Sequence, residues 1–227
     1  MRIKFLTLLM LSIIFYGCMD VDDNGWINSQ GVLIPLAVGN YWVYEWVRYD
    51  SLGNETIIDT IRVNICNSTI VNGTRVYYWS WDDSYEDATL IANLTGGVYD
   101  FGIVYNDSVH LHDTLGTHYL WLKYPASVGE TFYSSAENDS MTVVSISRPI
   151  MVPAGLFTCY EYIYDYDQHV YFAPNHGYIC ARSYDGLYQS GHAGQLFPNR
   201  GNTHTKSHNP NWLEMELRLI DYHISSE

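Results

Sequence analysis

Apolar and polar residues alternate with period two along most of this chain, and the alternating runs end in Gly, Asn, Asp or Pro. That is strand periodicity closed by turn residues. In the run at 41–50, Trp42, Tyr44 and Trp46 share one face, and Val43, Glu45 and Val47 share the other. A second strand is predicted at 55–66. The stretch at 70–81 reads as a hairpin, because Asn72-Gly73 suits a type I′ turn. Further strands are predicted at 89–94, 97–105, 109–112, 118–124, 141–147, 156–164, 169–173 and 177–184. The last runs from 212 to 224, where Leu213, Met215, Leu217 and Leu219 alternate before the apolar parity passes to Ile220, Tyr222 and Ile224. One extra residue flips the faces of a strand, so the switch predicts a bulge near Leu219. No stretch longer than a turn or two carries helical periodicity. The expectation is an all-β single domain of antiparallel strands over residues 31–227, a half-barrel or a sandwich. A long loop at 185–211 interrupts it, holding Gly186, Gly191, Gly194, Pro198, Gly201 and Pro210.

One local pattern occurs twice. Pro35 to Trp42 (PLAVGNYW) is echoed 90 residues later by Pro125 to Phe132 (PASVGETF). Each copy places Pro before a Gly-containing turn and an aromatic at a strand entry. Such a segment predicts a corner, since Pro fixes the approach and Gly permits positive φ. Two corners suggest two similar β halves.

The N-terminus has a different character. Arg2 and Lys4 precede 12 residues, Phe5 to Tyr16, that are almost wholly apolar, and Gly17-Cys18 follows. A basic start, a short apolar run and a small residue before the cut form a secretion signal. Cys directly after the small residue marks a lipoprotein signal, in which that Cys takes the lipid and becomes the new N-terminus. At about 1.5 Å per residue the run spans only about 18 Å, short of the ~30 Å hydrocarbon core. The expected organisation is a signal at 1–17, a lipidated Cys18 opening an acidic tether at 18–30, and the β domain beyond. An ordinary signal peptide cut elsewhere is the competing reading, because Phe15 and Tyr16 stand where lipoprotein signals carry Leu and a small residue. Asp20, Asp22, Asn24 and Gly25 fit the first half of a calcium loop, but its twelfth position is Gly31 rather than a bidentate Glu. No metal is expected there. Acidic residues just past a lipidated Cys also resemble the surface-export signals of some Gram-negative lineages.

Removing residues 1–17 takes Arg2 and Lys4 with it and leaves 9 basic against 25 acidic residues, a net of −16 over 210 residues. A field of that sign repels phosphate backbones, so nucleic acid is excluded as a partner, and anionic headgroups are repelled too. The lipid, not charge, would hold the protein at the membrane of a bacterial envelope, facing the periplasm or the surface from the outer membrane. The 21 Tyr and 7 Trp add to the β reading. Cys66, Cys159 and Cys180 are an odd set for an oxidising compartment. Cys159 and Cys180 fall on the first and third strands of a meander, about 9–10 Å apart and beyond bridging reach. All three are expected to be buried thiols.

Catalytic signatures are missing: the chain has no G-x-S-x-G, H-E-x-x-H or C-x-x-C and no glycine-rich phosphate loop. No catalytic residue and no cofactor is assigned. His110 and His112 share a strand face and His118 follows a turn, yet no Cys or placed carboxylate completes a metal shell. A solvent-facing edge pair is the simpler reading. His204 and His208 have helical ligand spacing in a stretch unsuited to a helix. Asp50, Asp59, Asp107, Asp113 and Asp139 each open an Asp-Ser/Thr-apolar triplet like the O-glycosylation sites of some Gram-negative lineages. The candidate ligand-binding residues are the aromatic stripes Trp42, Tyr44 and Trp46, and Tyr77, Trp79 and Trp81. A third stripe, Tyr160 to Tyr166, repeats the pattern. Core packing is the default for aromatics that bury 150–250 Å² each, and a groove for acyl chains or sugars is the functional alternative.

Four segments carry a resemblance: PLAVGNYW at the start, LKYPASVGETF in the middle, VPAGLFTCYEY at 152–162 and YFAPNHGY at 171–178. In order and spacing they resemble the TapB-like group of bacterial lipoproteins, a domain of unknown function. The likeness spans residues 33–224 and closes on LRLIDYHI. It implies a long curved antiparallel sheet and brings no catalytic residues with it. His176 departs from the group, whose members more often carry an apolar residue there. Taken together, the sequence predicts a lipid-anchored envelope protein acting as a binding or interaction module for a glycan, lipid or protein. An envelope hydrolase with an unrecognised site, or a lipid or lipoprotein carrier using an aromatic-lined groove, are the alternatives.

Overall fold

The computed structural model describes residues 31–81, 88–106, 108–112, 117–134, 140–164, 168–184 and 213–225. The signal at 1–17, the tether at 18–30 and the loop at 185–211 lie outside the described residues, as do Cys18, His204 and His208. Every regular element among the described residues is a strand: β1 (Tyr41–Tyr49), β2 (Glu55–Val71), β3 (Thr74–Trp81), β4 (Thr89–Leu94), β5 (Gly97–Tyr105), β6 (Ser108–Leu111) and β7 (Tyr119–Lys123). They continue as β8 (Thr131–Tyr133), β9 (Ser140–Val152), β10 (Gly155–Tyr164), β11 (Gln168–Ala173), β12 (Gly177–Tyr184) and β13 (Leu213–His223). All 13 belong to one antiparallel sheet in the order β6-β5-β4-β3-β2-β1-β13-β12-β11-β10-β9-β8. β7 lies beside β5 at Gly97 to Asp100, on the edge that β6 takes further along at Gly102 to Tyr105. The sheet is not closed into a barrel, but it curls. Trp121 of β7 stands 6.0 Å from Trp79 of β3 and 6.2 Å from Phe172 of β11, which lie far apart along the strand order.

The fold is built from two similar halves. In the first corner Gly39 N donates to Ile65 O (2.8 Å), Ile65 N donates to Asn40 O (2.8 Å) and Asn40 N donates to Ala37 O (3.1 Å). In the second, Gly129 N donates to Val143 O (2.8 Å), Val143 N to Glu130 O (2.9 Å) and Glu130 N to Ser127 O (3.1 Å). Gly39 and Gly129 have φ of 99° and 83°, the left-handed conformation that the turn needs and other residues avoid. Each corner leads into a strand, β1 or β8, then a long hairpin, β2–β3 or β9–β10, then a meander. Each half ends on a strand that returns beside its meander, β7 on β5 and β13 on β12.

Both long hairpins bend at a bulge. Cys66 and Asn67 together face Tyr78, and Ile146 and Ser147 together face Tyr160. The extra residue kinks the strand and turns its apolar set to the other face. Beyond the bulges the hairpin ends leave their neighbours β4 and β11, whose pairing stops at Tyr77↔Ile91 and Tyr160↔Phe172. The end of β2–β3 brings Val71 and Val76 onto Leu90, Ala92, Phe101 and Val104, a small second core on the outer face. The end of β9–β10 likewise buries Ile150, Val152 and Phe157, but these join the main cluster and form no separate one. The main core fills the inner face. One mouth of the curl is closed by the chain before β1, where Val32 O and Leu33 O accept from Asn175 N (2.7 Å) and Gly177 N (3.1 Å). Asn93 Nδ2 donates to Ile34 O at 2.9 Å, so the same segment ties both halves.

Candidate functional site

The two aromatic stripes predicted as ligand-binding do come together, on the inner face. Tyr44 pairs with Leu219 and Trp46 with Leu217 across β1 and β13, so these rings point into the core. Trp42 Nε1 donates to His176 O at 2.6 Å and its ring lies 5.1 Å from that of Trp79. Tyr44 OH donates to Tyr178 O at 2.9 Å, which satisfies a hydroxyl that burial would otherwise leave unpaired. Trp42, Tyr44, Trp46 and Trp79 are at most 4% exposed. Tyr77 and Trp81 are half-buried at the margin of the same cluster and are the only stripe residues of the six with surface to offer.

The structure assembles a second set that sequence reading missed, a ladder of charges across the outer face from β9 to β2. Glu161 is 2% exposed. Its Oε2 accepts from Arg148 Nε at 2.8 Å, and its Oε1 lies 2.8 Å from His169 Nδ1 and accepts from Tyr171 OH at 3.2 Å. Glu216 accepts from Arg182 Nε at 2.8 Å, Tyr49 OH at 2.8 Å and Cys180 Sγ at 3.5 Å. Arg218 bridges Glu45 and Glu55, each at 3.1 Å. Antiparallel register explains the ladder, because Glu161↔Tyr171, Tyr171↔Cys180, Arg182↔Glu216 and Glu45↔Arg218 are direct cross-strand partners. Burial alone would raise the Glu161 carboxyl, but its bonds to His169 and Arg148 outweigh that and hold it below the usual glutamate range.

The ladder is arranged to be satisfied rather than reactive. Cys159 and Cys180 share this face, buried and unbridged as expected. Cys66, expected to be buried too, is only half-buried at the β2 bulge, where its Sγ donates to Tyr78 O at 3.6 Å. Burial pushes the Cys159 thiol up to about 12, and burial beside Glu216 drives Cys180 well above its ordinary value. Such thiols stay protonated and are poor nucleophiles. The signal that could have found this set was opposite charge at outward positions of adjacent strands, as in Glu45, Glu216 and Arg218. It goes unnoticed because the partners are separated by 8 to 173 residues in sequence.

The three histidines weighed as a metal group, and set aside for a solvent-facing edge pair, have separate partners. His112 Nε2 pairs with buried Asp100 at 3.0 Å and packs edge-on against Tyr119, while His118 stacks on Phe101 at 4.8 Å. His110 meets the edge of the Tyr105 ring at 6.4 Å. Among the described residues no three His, Cys, Asp or Glu side chains converge as a metal site. His176, the departure from the TapB-like pattern, bonds Pro174 O through Nδ1 at 2.9 Å and packs between Phe157 and Tyr222.

No protein-family model matches the chain and no curated protein does, so the TapB-like resemblance rests on the four segments alone. Two solved structures are similar in shape. One is a candidate exported protein with a YmcC-like fold from Bacteroides fragilis, at 10% identity and a TM-score of 0.38 over 85% of this chain and 99% of that one. The other is a candidate lipoprotein from Parabacteroides distasonis, at 11% identity and a TM-score of 0.37 over the same shares.

Proposed function

We propose that this chain is a lipid-anchored protein of the bacterial cell envelope, held at the outer membrane through Cys18, whose β domain serves as a binding or interaction module. The observation that carries the proposal is the order Arg2 and Lys4, a 12-residue apolar run, then Gly17-Cys18. Each acyl CH₂ buried in the bilayer contributes about 0.8 kcal/mol, so several chains on Cys18 make attachment lasting. The rest of the domain fits a module more readily than an enzyme. Its buried carboxylates are occupied by Arg, His and Tyr partners, and two of its thiols are held protonated.

The TapB-like segments support the same reading in structural terms. They form the two corners, the bent end of β9–β10 and the β11–β12 turn that receives Val32 and Leu33. All four serve the fold, and a resemblance built on them transmits architecture rather than chemistry. A carrier using the aromatic stripes would have to work from Tyr77 and Trp81, since the other four rings are spent on the core. The anchor is tested by fractionating cells that express a Cys18→Ala variant. The variant is expected in the soluble envelope fraction and the native protein with membranes. A Cys18→Ala protein that still partitions with membranes contradicts the proposal.

A further inference from the structure

The bent end of the β9–β10 hairpin has two unlike faces. Ile150, Val152 and Phe157 turn inward, none more than 8% exposed, and Phe157 packs against His176 and Tyr222 at 5.4 and 6.0 Å. At the tip, Ala154 N donates to Leu219 O at 3.1 Å. The outward face carries Met151 and Leu156, direct cross-strand partners that are 68% and 64% exposed. Pro149 and Pro153 flank them, also exposed. The seated inner face and the Ala154 bond keep the outer pair from folding back, so two large apolar side chains stand side by side in water. From Ser140 to Tyr160 the chain has no Asp or Glu, and Arg148 is its one charged residue, in a protein of net charge −14.

The position of this hairpin says what covers it. The chain enters the described body at Gly31 and Val32, against Asn175. The next residue, His176, is the one on which Phe157 packs. The segment arriving from Cys18 therefore joins the body beside the hairpin. Residues 18–30 number 13, which limits their reach to about 45 Å at full extension. With Cys18 in a bilayer, this end of the domain is kept within that distance of the lipid surface.

From this we infer that the β9–β10 tip is the membrane-contact surface of the anchored protein, with Met151 and Leu156 entering the bilayer interface. The inference rests on the lipid-anchor reading. A stable protein interface needs about 800 Å² from each partner, far more than two side chains supply, whereas shallow insertion into an interface needs no more. The end of the hairpin is acid-free, and the acid nearest to it on β10, Glu161, is buried and paired with Arg148, so repulsion between an acidic protein and headgroup phosphates is weak there.

The test uses the full lipidated protein in phosphatidylethanolamine vesicles doped with a lipid bearing a diazirine on its acyl chain. After illumination, adducts are mapped by mass spectrometry, with the β2–β3 tip at Asn72-Gly73 as the internal reference. Labelling at Met151 and Leu156 is expected to exceed that at the reference by about tenfold. A Met151→Ser, Leu156→Ser variant should lose the adducts while still floating with the vesicles, and its exposed positions leave folding intact. Protein that floats but labels no more at the hairpin than at the reference overturns the docking and leaves the anchor standing. Protein that does not float overturns both. Copies cross-linked to each other through the hairpin, without lipid adducts, assign the patch to self-association and overturn the docking as well.

Discussion

The curled sheet has two places where its halves meet, and they are held together differently. At one, β1 and β13 pair through eight residue pairs, and the buried corner residue Asn40 accepts from Ser225 N and Oγ just past β13. At the other, β7 and β8 face each other with no ladder between them. There Glu130, the counterpart of Asn40, takes Lys123 from the end of β7, and Tyr162 OH donates to Lys123 O at 2.8 Å from inside. The corners have the same backbone bonds, so the difference lies in the residue after the glycine and in strand length. β13 has 11 residues with which to continue a ladder, whereas β7 has 5 and β8 has 3. The duplicated local structure therefore does not force closure, and side chains join the second meeting point.

Substitutions should separate the two places, beginning with the aromatic that follows each corner. Trp42→Ala removes a wholly buried ring and its bond to His176 O and should cost about 3–5 kcal/mol, seen as a large fall in the urea midpoint. Phe132→Ala, at the equivalent place on three-residue β8, should cost visibly less; equal losses would mean the two places are alike. Next comes Asn40→Ala. It strips Pro35 O and Ser225 N of their partner in a buried setting and should cost about 2–3 kcal/mol by the same measurement. Glu130→Gln, on a half-exposed pair with Lys123, should leave the midpoint where it is.

The outer ladder gives a smaller effect with a definite pH sign. Glu161→Ala should cost about 2 kcal/mol at pH 7, less than a fully buried ion pair because Arg148 is half-exposed to solvent. The folded-state carboxyl titrates below its unfolded value of about 4.3, so its contribution is complete above that pH and is lost as pH falls through and below it. Denaturation midpoints between pH 7 and pH 3 should fall less steeply in Glu161→Gln than in the native protein. The smallest effect is a null one: iodoacetamide at pH 8 should leave Cys159 and Cys180 unmodified until the protein is unfolded. Ready alkylation of the folded protein would show that the outer face opens.

Much of the fold was legible because its strands alternate cleanly. The expected strands at 89–94, 97–105 and 177–184 coincide with β4, β5 and β12. The bulge expected near Leu219 is present, since Leu219 faces Tyr44 and Asp221 faces Val43 while Ile220 has no opposite number. Asn72 at φ 49° and Gly73 at φ 83° form the predicted Asn-Gly turn. The strand predicted to stop at Ser147 instead continues to Val152 as β9, because Arg148-Pro149 reads as a break yet sits on a bent edge that needs no amide donor there. The β8 strand is too short to show a period. The stripes were legible as aromatic faces, but whether a curved sheet folds them into a core or lines a groove depends on contacts such as Trp121 with Phe172 that no local pattern carries. The charge ladder escaped notice for the same reason.

The most direct test of the anchored module is mass spectrometry of the N-terminal peptide of the protein purified from membranes. The proposal predicts a chain that begins at Cys18, with the mass of a lipid modification on that residue. An N-terminus elsewhere, with Cys18 unmodified or cut away, would contradict it.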